Sequence, residues 1–325
     1  MRASRCSVGK DGGASQQAPK DPRGTEDAKS KESHPNKGAR PVRHYIAHNH
    51  IFRNAGSTIT WALRKCFGEA FFDFRRLMDL GVKGAHDVPR MLRGFPFLKA
   101  FEVHHYFFGT LRVEGYSVHN IVFLRNPIDR LRSTYDFVRA KPQGQKLGAV
   151  ALATDLRGFI EYLLSIKPPI HVENPQTRII LGAMKRRPRP EDLEPVKDTL
   201  LGVEVLGLVE RFDDCMVLAE AVLAPYFPGV DLAYVKQNAA PARKESLLER
   251  DLDFRSAVGE DIYAQIVAMN QLDFALVSAV EEEISRRISL LPNFEQCKRD
   301  FQARCRDIEA RIAEPLSKAQ QVAKD

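Results

Sequence analysis

Two short segments of the chain combine small residues, hydroxyls and arginines in patterns that can bind phosphate. In the first, residues 50–59, a short apolar run leads into a small-residue loop and then a helical pattern. Such a loop presents unpaired backbone N–H groups, and with the helix dipole these attract a phosphate. Arg53 adds a fixed charge, and Ser57 and Thr58 add hydroxyl donors. An ordinary strand–helix turn also needs one glycine and a serine cap, so this segment alone leaves both interpretations open.

The second segment runs from Arg125 to Ser133. Asn126 is a favourable helix cap and Pro127 suits the first helical position, so the pattern predicts a strand that ends at an arginine and a helix that follows it. Ser133 lies about 9 Å along that helix. The Arg125 side chain is long enough to meet it on one anion, with the guanidinium bidentate to phosphate. A surface-charged helix behind a core strand is the alternative.

Two histidines follow a strand-like run, at positions 104 and 105. An imidazole near its unperturbed pKa can remove a proton from a hydroxyl as that hydroxyl attacks. His104 and His105 are both candidates for this base, and they would point to opposite faces if both extend the strand, because adjacent side chains of a strand alternate. Glu102 flanks the same region and could orient an imidazole. A capping or packed histidine is the alternative.

The elements that must position these residues alternate between strands and helices. Apolar, β-branched runs predict strands; these are 43–51, 99–103, 120–124 and 203–209. Apolar spacing of three and four predicts helices; these are 57–67, 127–139, 156–166, 175–181, 213–223, 262–288 and 294–313. Strands and helices in alternation indicate an α/β fold with a parallel sheet covered on both faces.

The basic character of the chain is concentrated at its amino-terminal end. Residues 1–43 hold ten of the 49 lysines and arginines but only five of the 42 acidic residues, so the remainder is nearly neutral. Almost no large apolar residues occur in residues 1–42, and we expect this basic tail to be disordered. We expect residues 43–290 to form the main domain, and residues 291–325 to contain a carboxyl-terminal helix that packs on it.

Cysteine usage and hydropathy bear on the cellular setting. The five cysteines form no Cys-x-x-Cys pair and no zinc-ligand pattern with histidine, which is typical of reduced thiols, and no cluster along the sequence implies a metal. The amino terminus lacks the apolar core of a signal peptide, and no apolar run is long enough to span a membrane. These features predict a cytoplasmic protein without a transmembrane segment. They do not indicate an oligomeric state.

Taken together, the motifs resemble those of the carbohydrate-type sulfotransferase family, which includes heparan sulfate 2-O-sulfotransferase. The first segment is similar to the family's 5′-phosphosulfate loop, with Arg53 where the family has lysine. The second matches every fixed position of the 3′-phosphate motif RxPxxRxxS. Two further segments resemble family motifs in the expected order, 174–178 (NPQTR) and 209–213 (VERFD). The resemblance spans roughly residues 44–280.

This resemblance implies a P-loop-like three-layer fold and transfer of a sulfuryl group from 3′-phosphoadenosine 5′-phosphosulfate (PAPS) to a hydroxyl, most plausibly of a carbohydrate. It assigns His105, Arg53 and His104 to catalysis. PAPS would be the co-substrate and no metal would be needed. The residues assigned to its binding are Arg53, Asn54, Ala55, Gly56, Ser57, Thr58, Arg125 and Ser133.

Other functions remain open from the sequence. A P-loop-like kinase using ATP would share the fold, although position 56 is glycine where a Walker loop requires lysine. A nucleic-acid-binding or interaction protein would act through the basic tail, but no specific nucleic-acid partner is indicated. A family member that binds the nucleotide without transferring sulfate is a third alternative. Residues 185–189 form a dense basic turn that could hold an acidic polysaccharide, and residues 236–244 resemble a loop that closes over the nucleotide.

Overall fold

The computed structural model describes residues 42–73, 92–104, 115–142, 146–237 and 244–322, with side chains as far as residue 313. Its centre is a five-stranded sheet in which all neighbouring strands run parallel, in the order β2-β3-β1-β4-β5. The strands are β1 (Arg43–His50), β2 (Phe71–Asp73), β3 (Ala100–His104), β4 (Tyr116–Leu124) and β5 (Val205–Leu208).

Helices flank this sheet, and the predicted three-layer α/β fold is thereby confirmed. The first six are α1 (Gly56–Phe67), α2 (Pro127–Ala140), α3 (Lys146–Ala153), α4 (Leu156–Ser165), α5 (Pro175–Ile180) and α6 (Leu193–Leu201). The others are α7 (Phe212–Leu223), α8 (Leu247–Val258), α9 (Glu260–Met269), α10 (Gln271–Leu290) and α11 (Phe294–Val322). Short 3-10 turns occupy Gly68–Ala70, Pro190–Asp192 and Val209–Arg211.

Both faces of the central strands are apolar, as parallel sheets require. On one face, Ile46 of β1 belongs to a cluster with Ile59 and Leu63 of α1. On the other face, Tyr45 and Ala47 pack in a separate cluster with residues of β3. This alternation along β1 follows from the two-residue period of a strand, so every second side chain of β1 faces α1.

A second apolar cluster lies among helices. It joins α2, α4, α8 and α9 through buried residues such as Leu131, Phe159 and Phe254. Helix α11 is attached differently, because its buried Phe294 and Phe301 belong to the cluster that contains the sheet. Within the described ranges, no helix is both long and apolar enough to cross a membrane.

The strand order creates a crevice next to β1. From β1 the chain proceeds to β2 at one edge, returns to β3, and then crosses to β4 on the other side of β1. In open parallel sheets, ligands bind where the strand order reverses in this way, outside the carboxyl ends of the strands. The loop after β1 and the loop after β4 contain the two predicted phosphate-binding segments, so both lie at this edge.

The structure differs from the sequence prediction at several elements. Helices α3, α6 and α8 were not predicted. Strand β2 was not predicted, because three residues are too few to show a period. The predicted helix 262–288 is two helices, α9 and α10, interrupted at Asn270, whose backbone leaves the helical conformation (φ −116°, ψ 21°). The side chain of Asn270 bonds to the carbonyl of Ile266, and Asn174 Oδ1 accepts from the amides of Leu272 and Asp273 at the start of α10.

Candidate functional site

The loop after β1 is held in an unusual backbone conformation. Arg53 and Ala55 have φ values of 68° and 60°, which are uncommon for residues other than glycine. The first hydrogen bonds of α1 run from Thr58 and Ile59 to the carbonyl of Ala55. The amides of the preceding helical residues lie ahead of the intrahelical ladder, at the positive end of the helix dipole. This arrangement matches what an anion-binding loop requires.

Asn54 anchors this loop with its side chain. The residue is buried, and its Nδ2 donates to the carbonyl of Phe123 on β4 and to Oε1 of Gln176 on α5, both at 2.7 Å. The sequence assigned Asn54 to cofactor binding. In the structure its side-chain amide joins the loop to β4 and α5, and so supports the site from behind.

The two predicted phosphate segments meet through Arg53 and Ser133. Nε and one terminal nitrogen of Arg53 lie 3.0 and 2.9 Å from Oγ of Ser133, which is 80 positions later in the sequence. The guanidinium also lies 4.4 Å from the ring centroid of Phe137, one turn further along α2. A serine hydroxyl and a guanidinium thus point to the same place at the mouth of the crevice.

Arg125 is placed differently from the sequence expectation. It is buried, and its Nε donates to Asp129 Oδ2 at 2.8 Å while another guanidinium nitrogen donates to the carbonyl of Arg53 at 2.9 Å. The other Asp129 oxygen accepts from Nε of Arg250 on α8 at 2.9 Å. The sequence paired Arg125 with Ser133 on one anion; the structure pairs Ser133 with Arg53 and uses Arg125 to fix the Arg53 backbone.

The segment 174–178 clamps the two loops together. Gln176 is fully buried, its Oε1 accepts from the amide of Arg125 at 3.0 Å, and its Nε2 donates to the Arg125 carbonyl at 2.9 Å. Asp273 accepts from the amides of Gln176 and Thr177. This segment therefore connects Asn54, the end of β4 and α10, and a change in it should move both sides of the crevice.

The segment 209–213 and the predicted cap of α2 also meet at this edge. Oδ1 of Asn126 accepts from the amides of Ile128 and Asp129, so the predicted cap is confirmed. Oε1 of Glu210 accepts from the amide of Asn126 at 2.9 Å, and burial raises the pKa of Glu210. Glu210 thereby ties the end of β5 to the start of α2.

A group of histidines and one glutamate lies at the carboxyl ends of β1 and β3. Nδ1 of His50 lies 2.5 Å, and Nε2 of His104 3.1 Å, from Oε1 of Glu102. The Thr60 hydroxyl donates to the other carboxylate oxygen. Burial alone raises the pKa of Glu102, but the hydrogen bonds from His104 and His50 outweigh it and hold that pKa well below its ordinary value. Glu102 is thus an ionised, fully buried carboxylate.

The histidine group contacts the start of α1, directly after the loop that follows β1. A Cβ built at Gly56 would lie 2.2 Å from Nε2 of His50, so the imidazole rests directly on the first residue of α1. Glycine is therefore required at this position to make room for a side chain. The predicted catalytic His104 is placed beside the crevice by this contact and by its ring stacking on His50, at 4.4 Å between centroids.

Other predicted residues are only partly described. His105 lies outside the described residues, as do residues 238–243 of the predicted closing loop 236–244. The part of the predicted closing loop that is described reaches the site, because the amide of Gln237 donates to Oγ1 of Thr58 at 3.1 Å. In the basic turn, Arg187 pairs with Glu173 at 2.5 Å and Arg186 with Asp192 at 2.8 Å, so carboxylates offset part of its charge.

Fold and crevice together define a three-layer α/β protein whose candidate site lies at the carboxyl edge of a parallel sheet. No protein-family model matches the chain. An uncharacterized protein of Archaeoglobus fulgidus is 27% identical over 236 residues, which cover 71% of this chain and 93% of that protein. The similarity extends over most of both chains.

Sequence reasoning missed His48, His50 and Thr60. A signal was present, since histidines two apart in a strand share a face, and Glu102 and His104 show the same spacing in β3. The missing information was the pairing of β1 with β3, which only long-range structure provides. Spacing within one segment therefore could not reveal the group.

Proposed function

We propose that this protein is a PAPS-dependent sulfotransferase that acts on a hydroxyl, with a carbohydrate as the acceptor class. The observation that carries this proposal is the contact of the Arg53 guanidinium with the Ser133 hydroxyl, at 2.9 and 3.0 Å. It brings together two segments that resemble the 5′- and 3′-phosphate motifs of the carbohydrate-type sulfotransferases. The acceptor class rests on that resemblance alone. The proposed cytoplasmic setting rests on the cysteine usage and hydropathy of the sequence, and it fits the free thiols among the described residues.

The donor side of the crevice fits a nucleotide with two phosphate groups. Amides at the start of α1 and the Arg53 guanidinium would hold one group, and the Ser133 hydroxyl would contact the other. Arg53 remains protonated at all working pH values, so it stabilises charge on the departing 5′-phosphate without donating a proton. The 5′-phosphate leaves as an anion near neutral pH, so that stabilisation suffices.

The acceptor side requires a base. As the acceptor oxygen bonds to sulfur, the bond from sulfur to the 5′-phosphate oxygen breaks, and the hydroxyl proton passes to an imidazole. Among the described residues His104 is the candidate, because it lies at the carboxyl end of β3 and its Nε2 contacts the Glu102 carboxylate, which can orient the imidazole. His105, the first candidate from the sequence, adjoins it in the chain.

The first experiment is a thermal-shift titration of the full-length protein with 3′-phosphoadenosine 5′-phosphate, in parallel with ADP and ATP. Ligand at 100 times its Kd adds about 2.7 kcal/mol of stability. We expect stabilisation by the 3′-phosphorylated nucleotide and a much weaker response to ADP. A response to ATP alone would favour the kinase interpretation, and equal responses to all three nucleotides would contradict recognition of the 3′-phosphate.

Two variants locate the site. Arg53→Ala should weaken binding by roughly 10- to 100-fold, because a charge-assisted contact with phosphate is lost. Arg53→Lys, which restores the family residue, should retain most of the affinity. Arg132→Ala is the matched control, since Arg132 lies on the same helix as Ser133 but pairs with Asp136 at the surface. If both alanine variants lose affinity equally, the loss reflects the general positive charge of this region and not a specific contact in the crevice.

A further inference from the structure

We propose that His48, His50 and Glu102 form a binding site for a divalent transition-metal ion of the zinc class, with His104 as an additional ligand beside them. The proposal goes beyond sulfuryl transfer and does not depend on it. It was not foreseen from the sequence, which indicated no metal.

The strand register places these side chains together. Strands β1 and β3 are parallel, with His48 opposite Glu102 and His50 opposite His104. Because side chains alternate along a strand, all four point to one face. That face is covered by α1, whose Thr60 contacts Glu102. The four residues therefore come from two adjacent strands and share one enclosed space.

The donor atoms are close enough for one ion. One ligand atom each from His48, His50 and Glu102 can be chosen so that all lie within 4.8 Å of one another. A tetrahedral zinc with bonds of about 2.0–2.1 Å places its donors roughly 3.3 Å apart. The contact of His50 with Glu102, at 2.5 Å, is shorter than this value and the widest spacing is longer. Side-chain torsions that move these atoms by about 1.5 Å would satisfy the geometry.

The burial of this group means that its carboxylate needs a nearby positive charge. His48 is 2% and Glu102 0% exposed. A buried carboxylate requires compensating positive charge, which either imidazole protons or a metal ion can supply. A metal ion would take the place of the protons that His50 and His104 direct at Glu102, and it would neutralise the carboxylate.

The surroundings already orient the proposed ligands. The Thr60 hydroxyl binds Oε2 of Glu102, which leaves Oε1 directed at the imidazoles. Hydrogen bonds of this kind to metal ligands fix their orientation in known metal sites. The rings of His48 and His50 stack nearly parallel, with 5.4 Å between centroids and an interplanar angle of 24°, so the two imidazoles are held side by side.

The ligand set indicates the class of metal. Imidazole nitrogen and a single carboxylate suit Zn²⁺, Co²⁺, Ni²⁺ or Fe²⁺, whereas Ca²⁺ and Mg²⁺ prefer oxygen donors. Two histidines and one carboxylate form a set that leaves further positions open. His104 lies beside one of these positions, because its Nε2 is 3.1 Å from Glu102 Oε1.

The test is a titration of metal-free, full-length protein with Co²⁺, followed by visible absorption and then by displacement with Zn²⁺. We expect one equivalent to bind with tetrahedral-type ligand-field bands and to raise the melting temperature. Mg²⁺ should produce neither effect. Absence of stoichiometric binding by the wild-type protein would overturn the proposal and leave a hydrogen-bonded histidine network.

Variants assign the ligands. His48→Ala and the nearly isosteric Glu102→Gln should each weaken Co²⁺ binding by at least roughly tenfold, with folding verified by circular dichroism. His44→Ala is the matched control, since His44 lies on the same strand but faces His119 at 2.9 Å. Equal loss in all three variants, or full binding by a folded Glu102→Gln protein, would refute the assignment. Nucleotide binding is measured separately, so either proposal can fail alone.

Discussion

Two arginines at the same crevice are held in contrasting ways. Arg125, at the end of β4, is 4% exposed and donates to the Asp129 carboxylate and to a backbone carbonyl. Arg53, in the loop after β1, donates to the Ser133 hydroxyl and lies against the Phe137 ring. The sequence assigned both residues to phosphate binding, yet Arg125 contacts a buried carboxylate, whereas the contacts of Arg53 include the Ser133 hydroxyl.

This difference indicates that one arginine holds the loop in place and the other can contact a ligand. A guanidinium that leaves a buried carboxylate exposes an uncompensated charge, which costs several kcal/mol. A contact with a hydroxyl is exchanged for a phosphate contact at a much lower cost. Arg125 therefore fixes the position of the loop, and Arg53 with Ser133 is suited to meet the ligand. The following variants test this division, from the largest expected effect to the smallest.

Asp129→Ala should destabilise the protein by about 3–5 kcal/mol, because it leaves one buried and one partly buried guanidinium group without their shared carboxylate. These belong to Arg125 and Arg250, each less than 3.0 Å from an Asp129 oxygen. Urea unfolding followed by circular dichroism measures the change. Asp136→Ala, which removes the surface partner of Arg132, should cost less than about 1 kcal/mol. Similar losses in both variants would show that the Arg125 pair is not a special support.

Gln176→Ala should destabilise the protein by about 2–4 kcal/mol, because buried polar groups lose their partners on both sides of the crevice. The groups affected are the Asn54 amide and the backbone of Arg125. The same urea measurement applies, with Gln271→Ala as control, since Gln271 bonds only to a carbonyl of its own surface region. A loss under about 1 kcal/mol would mean that the clamp is dispensable.

Ser133→Ala should lower the affinity for 3′-phosphoadenosine 5′-phosphate by roughly 3- to 10-fold while changing stability by less than about 1 kcal/mol. The reason is that the hydroxyl is exchanged between Arg53 and the ligand. Calorimetric titration measures the affinity. Thr134→Val removes the neighbouring hydroxyl, which bonds to the Arg130 carbonyl within α2, and should leave affinity unchanged. The reverse ranking would place the ligand elsewhere.

The smallest expected effect is at Glu283, whose ion pairs lie away from the crevice and provide a reference value for the stability that such pairs contribute. Hydrogen bonds from Arg286 and Arg287 lower the pKa of Glu283 to about 2. Because the folded pKa lies below the unfolded value of about 4.3, the stabilisation is complete above that value and disappears as pH falls towards 2. We expect Glu283→Gln to cost about 1 kcal/mol at pH 6, roughly half of that near pH 3 and very little below pH 2, measured by thermal melts. A pH-independent difference would exclude the ion pair as its cause.

Much of the fold follows from local sequence patterns. The strands before both phosphate segments, the helices after them and the Asn126 cap were all predicted, because period and capping chemistry are local properties. The break at Asn270 was not, because Asn174, nearly a hundred positions earlier, caps the helix that follows. Strand β2 is too short to show a period and is defined only by its pairing with β3.

The residues of the candidate site could be predicted from the sequence, but their hydrogen-bond partners could not. The sequence identified Arg53, Arg125 and Ser133, but their pairing depends on how two loops approach each other in space. Gly56 illustrates the same limit. In the sequence it is a small residue of a loop, whereas in the structure it begins a helix and leaves space for the His50 ring.

That contact between His50 and Gly56 makes the two halves of the edge thermodynamically dependent on each other. A ligand that moves the His50 ring must also move the first turn of α1, whose amides face the crevice. If occupancy of the histidine group changes the nucleotide affinity by some factor, nucleotide binding must change the affinity of the histidine group for its own ligand by the same factor, since coupling free energies are reciprocal. The absence of a Cβ at Gly56 thus brings the proposed nucleotide site and the proposed metal site into direct contact.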